Sequence, residues 1–388
     1  MKKILFVITL ESSAENFISD QLSYFREKAG FECHLICSPH PRLEQYVESQ
    51  GASFLPVKIE RQLSLKDDIK AYRTIRKYMR KQKFDVLIAH SFPKACLLSM
   101  TAGRFAGIPH RVELAHGALQ EGLTGIMKKI VILCERHNSS WAEKVISVSP
   151  SVIQRRLLDK IDKPNKQVLL SKGTSNGVDA LNKFNPNLVS PNTVNAIKEK
   201  YHISDTDFVI GFCGRLVHDK GVTELVDGFK LLQTRHPNKS IKLLIIGDPE
   251  MRDALPQQTL DCLTHDDNII FTGRIPYVDI QQYYMPMNVF ILPSYREGFP
   301  TVVLEASAMA KPVVTTRKTG CIDSIVEGET GQYCEIEATS IADSIEPFFD
   351  EVYAKQMGQN GREWVVRNFD HTIVREALLQ FINDIVKE

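Results

Sequence analysis

The sequence predicts an α/β protein built from two Rossmann-like domains, each a parallel sheet wrapped by helices. Short runs rich in Val, Ile and Leu alternate with amphipathic helical stretches along the whole chain, the pattern of strands buried on both faces. At 388 residues the chain is too long for one ordinary core. The alternation also breaks once, over a segment crowded with Asn and Pro (NKFNPNLVSPN), and then restarts.

The elements follow in order. The apolar run 4–10 is short for the hydrophobic part of a secretion signal, is interrupted by Thr9, and leads at once into a helical pattern over 15–28. It reads as a buried first strand, even though Ser12-Ser13-Ala14 resembles a cleavage site. Further strands are expected at 32–37, 53–59, 85–90, 111–115, 144–148 and 168–170. Between them lie helices at 41–49, 65–80, 94–106 and 125–140, and one opened by Ser149 as cap with Pro150 at its first position. The second set of strands is 208–212, 241–246, 268–271, 289–292 and 312–315, with helices at 221–235, 251–263, 278–285 and 301–310 and more after Ala338. The boundaries expected are a first domain at 1–176, a linker at 177–204, a second domain at 205–369, and a closing helix at 370–388 that returns to the first domain. Two such sheets facing each other predict an interdomain cleft, with ligands at the carboxyl ends of strands.

Bulk properties narrow the class. Charged residues are 24% and the net charge is +1, so no global field favours nucleic acid. Eight scattered cysteines lack zinc-site spacing and sit mostly in apolar runs, which fits a reducing cytosol. No run approaches the ~20 apolar residues of a membrane span.

Three segments carry chemistry. The first, Glu297-Gly298-Phe299-Pro300-Thr301-Val302-Val303-Leu304-Glu305, follows the strand VFILPS and opens a helix. Gly298 permits close backbone approach and Pro300 suits a first turn, so free N–H groups at this start would suit a phosphate. Glu297 and Glu305 flank the start, and each carboxylate can accept two hydroxyls. The bland alternative is an ordinary helix start with an exposed glutamate. The second segment is Gly214-Arg215 at a strand end with Lys220-Gly221 at the next helix start. Two fixed cations there fit a diphosphate, while the alternative is a tight turn with surface charge. In the third, His116-Gly117 ends a first-domain strand; no carboxylate can be assigned to His116, so it is not read as a general base.

Together, Arg215 with Lys220, the Glu297 and Glu305 segment, and His116-Gly117 resemble the retaining glycosyltransferases of family 4, which have the GT-B fold. Ser175-Asn176-Gly177-Val178-Asp179 with Phe184 adds to the likeness, which covers nearly the whole chain. Within the family it is most similar to bacterial capsule, O-antigen and bacillosaminyl-lipid sugar transferases. The resemblance implies a nucleotide-sugar donor, with UDP preferred, and an undecaprenyl-diphosphate-linked sugar acceptor. It implies that Arg215 and Lys220 hold the donor diphosphate and that Glu305 takes the ribose. Glu297 would contact the donor sugar, with Gly298, Phe299, Pro300 and Thr301 offering backbone groups and His116 near the reacting carbon. Arg274 and Ile275 would flank the base. It also implies retention by front-face attack, with the cations doing what a metal does elsewhere, so no cofactor and no essential metal are expected. The family's glycine-rich loop after the first strand is replaced here by Glu11-Ser12-Ser13-Ala14-Glu15-Asn16.

A basic helix near 69–83 carries Lys70, Arg73, Arg76, Lys77, Arg80, Lys81 and Lys83 beside an apolar stripe of Ile69, Tyr72, Ile75 and Met79. It is either a solvated face on a packed helix or a dock for the inner face of the cytoplasmic membrane. Two other functions remain open on residues alone: a UDP-N-acetylglucosamine 2-epimerase, which needs extra acid/base carboxylates and no acceptor, and a non-catalytic sugar-nucleotide-binding protein.

Overall fold

A computed structural model describes residues 1–9, 14, 18, 20–59, 64–91 and 93–387. The chain divides into two compact units: Met1–Asn176 with Ile373–Glu388, and Gly177–Thr372.

The first unit holds a seven-stranded parallel sheet in the order β3-β2-β1-β4-β5-β6-β7. Its strands are β1 (Lys3–Val7), β2 (Glu32–Cys37), β3 (Ser53–Pro56), β4 (Val86–His90), β5 (His110–Ala115), β6 (Lys144–Ser147) and β7 (Gln167–Val168). Helices α1 (Gln21–Ala29), α2 (Pro41–Ser49), α3 (Leu65–Gln82), α4 (Pro93–Ala106), α5 (Gly125–Trp141) and α6 (Pro150–Leu158) connect them. Every β4 residue is buried, as unbroken apolar runs in a doubly covered sheet require. Helices α3, α4 and α5 pack side by side, and Ile75 and Met79 of α3 sit in the core beneath them. Of the apolar stripe of the basic helix, Ile75 and Met79 are spent on the fold while Ile69 stays half exposed; Arg76 lies over the Phe105 ring, and the other six cations are exposed. The expected loop 11–16 lies outside the described residues except for Ala14.

The second unit repeats the plan with six strands in the order β10-β9-β8-β11-β12-β13, all parallel. They are β8 (Phe208–Cys213), β9 (Ile241–Ile246), β10 (Ile269–Phe271), β11 (Val289–Leu292), β12 (Val313–Thr316) and β13 (Gly331–Cys334). The helices are α7 (Pro191–Lys200), α8 (Val222–Arg235), α9 (Gln257–His265), α10 (Ile280–Tyr284), α11 (Thr301–Ala308), α12 (Ala338–Ile345) and α13 (Glu351–Asn368). Strand β13 escapes the sequence pattern because it is a four-residue edge strand with only its two ends buried.

The stretch 177–204, expected to be a linker, belongs to the second unit. The Val178 amide donates to Phe369 O at 2.9 Å, Arg362 donates to Phe184 O at 3.1 Å, and Phe184 is fully buried. Its Asn and Pro set turns, but a few apolar residues anchor them. The closing helix α14 (His371–Lys387) lies almost wholly in the first unit. There Arg375 pairs with Asp20 at 2.6 Å, and Tyr24 donates to Glu376 at 2.6 Å.

Candidate active site

In the second unit β8 and β11 are the neighbours at which the strand order reverses, and crevices at the carboxyl ends of such strands take ligands. Strand β8 delivers Gly214 and Arg215 to this edge, and β11 delivers 293–300. The loop after β8 turns through Gly221, at φ 67°, and a Cβ there would stand 2.1 Å from Pro293 O. Only glycine lets the two loops touch. That contact sets Lys220 beside Glu297, and the ammonium and carboxylate pair with side chains only 16% and 14% exposed. A second glycine fixes the other side of Glu297. Gly320, at φ 78°, would carry a Cβ 2.5 Å from both Glu297 O and Gly298 O.

Helix α11 begins immediately after this pair. Pro300 occupies its N-cap and no side chain caps it; the Val303 amide turns back to Pro300 O at 3.1 Å, and the positive dipole end of the helix points to this edge. Phe299 is buried against Phe369, ring centroids 5.2 Å apart, while Thr301 is exposed. One turn in, Glu305 is 5% exposed and accepts a hydrogen bond of 2.7 Å from the Tyr284 hydroxyl. Burial pushes its carboxyl up to about 7, against the pull of that hydroxyl and the nearby Lys183 ammonium. Burial likewise pushes Lys183 down to about 8.

The other expected residues stand further out. Arg215 is 61% exposed and pairs with Glu250 at 2.8 Å. The Arg274 amide donates to Asp248 Oδ1 at 3.0 Å, its side chain is exposed, and Ile275 is half-buried. Arg296 pairs with Asp219. Among the described residues one group, His218, Asp219 and Asp253, brings three ligand-type atoms within 4.8 Å. Asp219 is already engaged by Arg296, and Asp253 accepts the Asp219 amide at 2.9 Å.

In the first unit His116 follows β5 and stacks on His90, the last residue of β4, with Nε2 and Nδ1 2.8 Å apart. Burial pushes His90 down to about 3 and, with His90 beside it, holds His116 well below the ordinary imidazole range. The pair is neutral near pH 7 and shares one proton. His116 is thus a hydrogen-bonding group of fixed orientation rather than an acid. His90, Tyr284 and Lys183 are absent from the sequence expectations. His90 ends a strand just as His116 follows one, so the same positional rule would have found it. Nothing in the helical segment DIQQYYMPMN marks Tyr284.

The fold defines an α/β protein of two units, each built on a parallel sheet, and comparison with known proteins names the family. Residues 193–364 match the model described as glycosyl transferases group 1, and 18–169 match the glycosyl transferase 4-like domain. The chain is 32% identical to the capsular polysaccharide biosynthesis glycosyltransferase CapM of Staphylococcus aureus, spanning 100% of this chain and 98% of that one. It is 24% identical, over 88% of this chain and 86% of the relative, to an Escherichia coli UDP-Gal:alpha-D-GlcNAc-diphosphoundecaprenol alpha-1,3-galactosyltransferase. Among solved structures, a Rickettsia africae glycosyltransferase superposes with a TM-score of 0.81 at 20% identity, covering 100% of this chain and 99% of that one. Anabaena HepE in complex with UDP and glucose superposes with a TM-score of 0.80 at 17% identity, covering 99% and 100%. The chain belongs to the family 4 glycosyltransferases and has their GT-B fold.

Proposed function

We propose that this glycosyltransferase moves a hexose or N-acetylhexosamine from a UDP-sugar to a lipid-linked sugar acceptor in surface polysaccharide synthesis. The reaction would retain anomeric configuration and take place at the cytoplasmic face of the membrane. The observation that carries this reading is the constellation at the β8 and β11 ends: a Lys220–Glu297 pair, an uncapped helix start, and a buried Glu305 one turn on. The diphosphate lies between the helix start and Lys220, Glu305 takes the ribose hydroxyls, and Glu297 faces the sugar. Lys220, joined by Arg215 when it leaves Glu250, stabilises charge on the departing diphosphate, so the reaction needs no resident metal. The two named relatives support the acceptor and pathway, since one is a capsular enzyme and the other acts on an undecaprenol-diphosphate sugar.

A thermal-shift panel of UDP-, GDP- and ADP-sugars tests the donor. Ligand at ~100 times its Kd raises apparent stability by about 2.7 kcal/mol, so a shift with UDP-sugars alone is expected; equal shifts with all three would remove the base preference.

Donor affinity is expected to depend on pH through Glu305. Below about 7 its carboxyl is largely protonated and accepts hydroxyls poorly. The Kd for UDP should rise about tenfold for each pH unit below that point. Calorimetry at pH 6 and pH 8 checks this, and equal affinities would take Glu305 out of the ribose site. The sign for stability is opposite. A raised carboxyl pKa favours the fold below the ordinary carboxylate range, and that contribution is lost as pH rises through about 7. His116→Ala should lower turnover at least ~10-fold while leaving donor Kd within about twofold. Unchanged turnover would remove His116 from the reaction.

A further inference from the structure

Strand β4 ends on a histidine that the fold does not call for. His90 is 1% exposed. Its Nδ1 meets His116 Nε2 at 2.8 Å, and its Nε2 is buried with no hydrogen-bond partner among the described residues. A buried polar ring with one nitrogen unpaired is a cost to folding that a leucine would avoid. The backbone around it is fixed. His90 pairs with Leu114 of β5, and the Ser91 amide donates to Leu114 O at 2.8 Å. His116 lies two residues further along, past Ala115 at the strand end. The ring on the sheet therefore holds the ring beyond it.

The unpaired nitrogen decides which way the bond runs. Two neutral imidazoles that meet at one nitrogen each share a single proton in that contact. With His90 protonated on Nε2, a buried N–H would lack an acceptor, the rarer arrangement in folded proteins. With His90 protonated on Nδ1, a lone pair is left bare instead. His90 then donates from Nδ1 and His116 accepts at Nε2. The ring centroids are 5.0 Å apart and the nitrogens 2.8 Å, so both nitrogens lie close to the line joining the rings, as such a bond requires. His116 must carry its own proton on Nδ1. A ring so held has no lone pair left to act as a base; it has one N–H to donate and no charge. Glycosyl transfer leaves the reacting carbon short of electrons in the transition state. A neutral donor binds a sugar hydroxyl there without adding positive charge beside it.

We propose that His90 is a positioning residue that fixes His116 as its Nδ1–H tautomer and so makes it a neutral hydrogen-bond donor to the donor sugar. The tautomer stands on the geometry of the pair; its use in sugar transfer rests on the proposed function.

Long-range proton–nitrogen NMR on protein carrying isotope-labelled histidine reads the tautomer, with the two rings assigned by their loss in His90→Asn and His116→Ala. His116 is expected to be protonated on Nδ1 in the unaltered protein. It should stay so in His90→Asn, whose amide N–H stands where Nδ1 was, and lose that preference in His90→Leu. Turnover of UDP-sugar should fall at least ~10-fold in His90→Leu and return to within ~3-fold in His90→Asn, with the Kd for UDP within about twofold throughout. The double variant His90→Leu/His116→Ala should be no slower than His116→Ala. His116 protonated on Nε2 in the unaltered protein, or a tautomer unmoved by His90→Leu, would overturn the proposal. So would full turnover in His90→Leu beside a slow His116→Ala, an Asn variant as slow as the Leu one, or losses that add in the double variant. If His90→Leu does not fold, the unaltered protein and His90→Asn still decide. If His116→Ala turns over normally, the place of His116 in the proposed function fails, and the spectra decide the tautomer separately.

Discussion

Arg156→Ala is expected to unfold the first unit or leave it on the verge of unfolding. The guanidinium is fully buried and meets Glu113 at 2.9 Å, Asp162 at 2.5 Å and Glu135. It is one cation holding together three buried carboxyls that come from β5, from α5 and from the turn after α6. Removing one partner of a buried ion pair costs about 3–5 kcal/mol because the other charge is left in a medium that solvates it poorly. Typical domains have only ~5–15 kcal/mol in total. Glu113 already leans toward neutrality, since burial holds it well above the ordinary carboxylate range against the pull of Arg156. Without the arginine the three buried carboxyls lose the cation that favours their charged form, and they take up protons more readily. The folded variant then binds more protons than its unfolded chain, so its deficit should shrink as pH falls from 8 to 5. Urea unfolding of the pair of proteins in a Trp364→Phe background leaves Trp141 as the single tryptophan, reporting the first unit. A change under ~0.5 kcal/mol, or one independent of pH, would mean the cluster does not hold the unit together.

How far the sequence could foresee these features depends on which interaction made them. The alternation of apolar runs and helices identified both sheets because burial on both faces writes a local signal. Residues placed by being next to a strand end, such as Lys220, Glu297 and His116, were legible for the same reason, since topology fixes which edge they reach. The Arg156 cluster was not legible. Glu113, Glu135 and Asp162 are spread over about fifty residues of sequence and look individually like surface charge. The contact of Tyr284 with Glu305 joins two elements through the core and leaves no local mark. Helix α5 shows an error that spacing alone invites. Its apolar residues have helical spacing, and the usual inference is that such a stripe faces the core. Only the burial of Glu135 and Asn138 on the opposite face shows which side is inside. The segment 177–204 shows the reverse error, because Asn and Pro report on turns and say nothing about whether Phe184 is anchored.

Lys220→Ala is expected to cost more donor affinity than the loss of one cation would suggest. In the free enzyme Lys220 neutralises Glu297, and both side chains are mostly shielded from water. Truncation leaves an unpaired carboxylate beside the place proposed for the diphosphate, so an attraction is replaced by a repulsion. Losing one member of a desolvated, hydrogen-bonded charge pair costs about 2–5 kcal/mol, and partial exposure puts this pair near the low end. A loss of ~30-fold in UDP-sugar affinity follows, about 2 kcal/mol. The double variant Lys220→Ala/Glu297→Ala removes the repulsion as well and should recover much of the affinity. Turnover should not recover, because the cation is needed most when charge develops on the leaving diphosphate. Calorimetric Kd values and single-turnover rates for the four members of this cycle separate the two effects. If Lys220→Ala binds UDP-sugar as the unaltered protein does, the diphosphate lies elsewhere. If affinity and turnover recover together in the double variant, Lys220 serves only to neutralise Glu297.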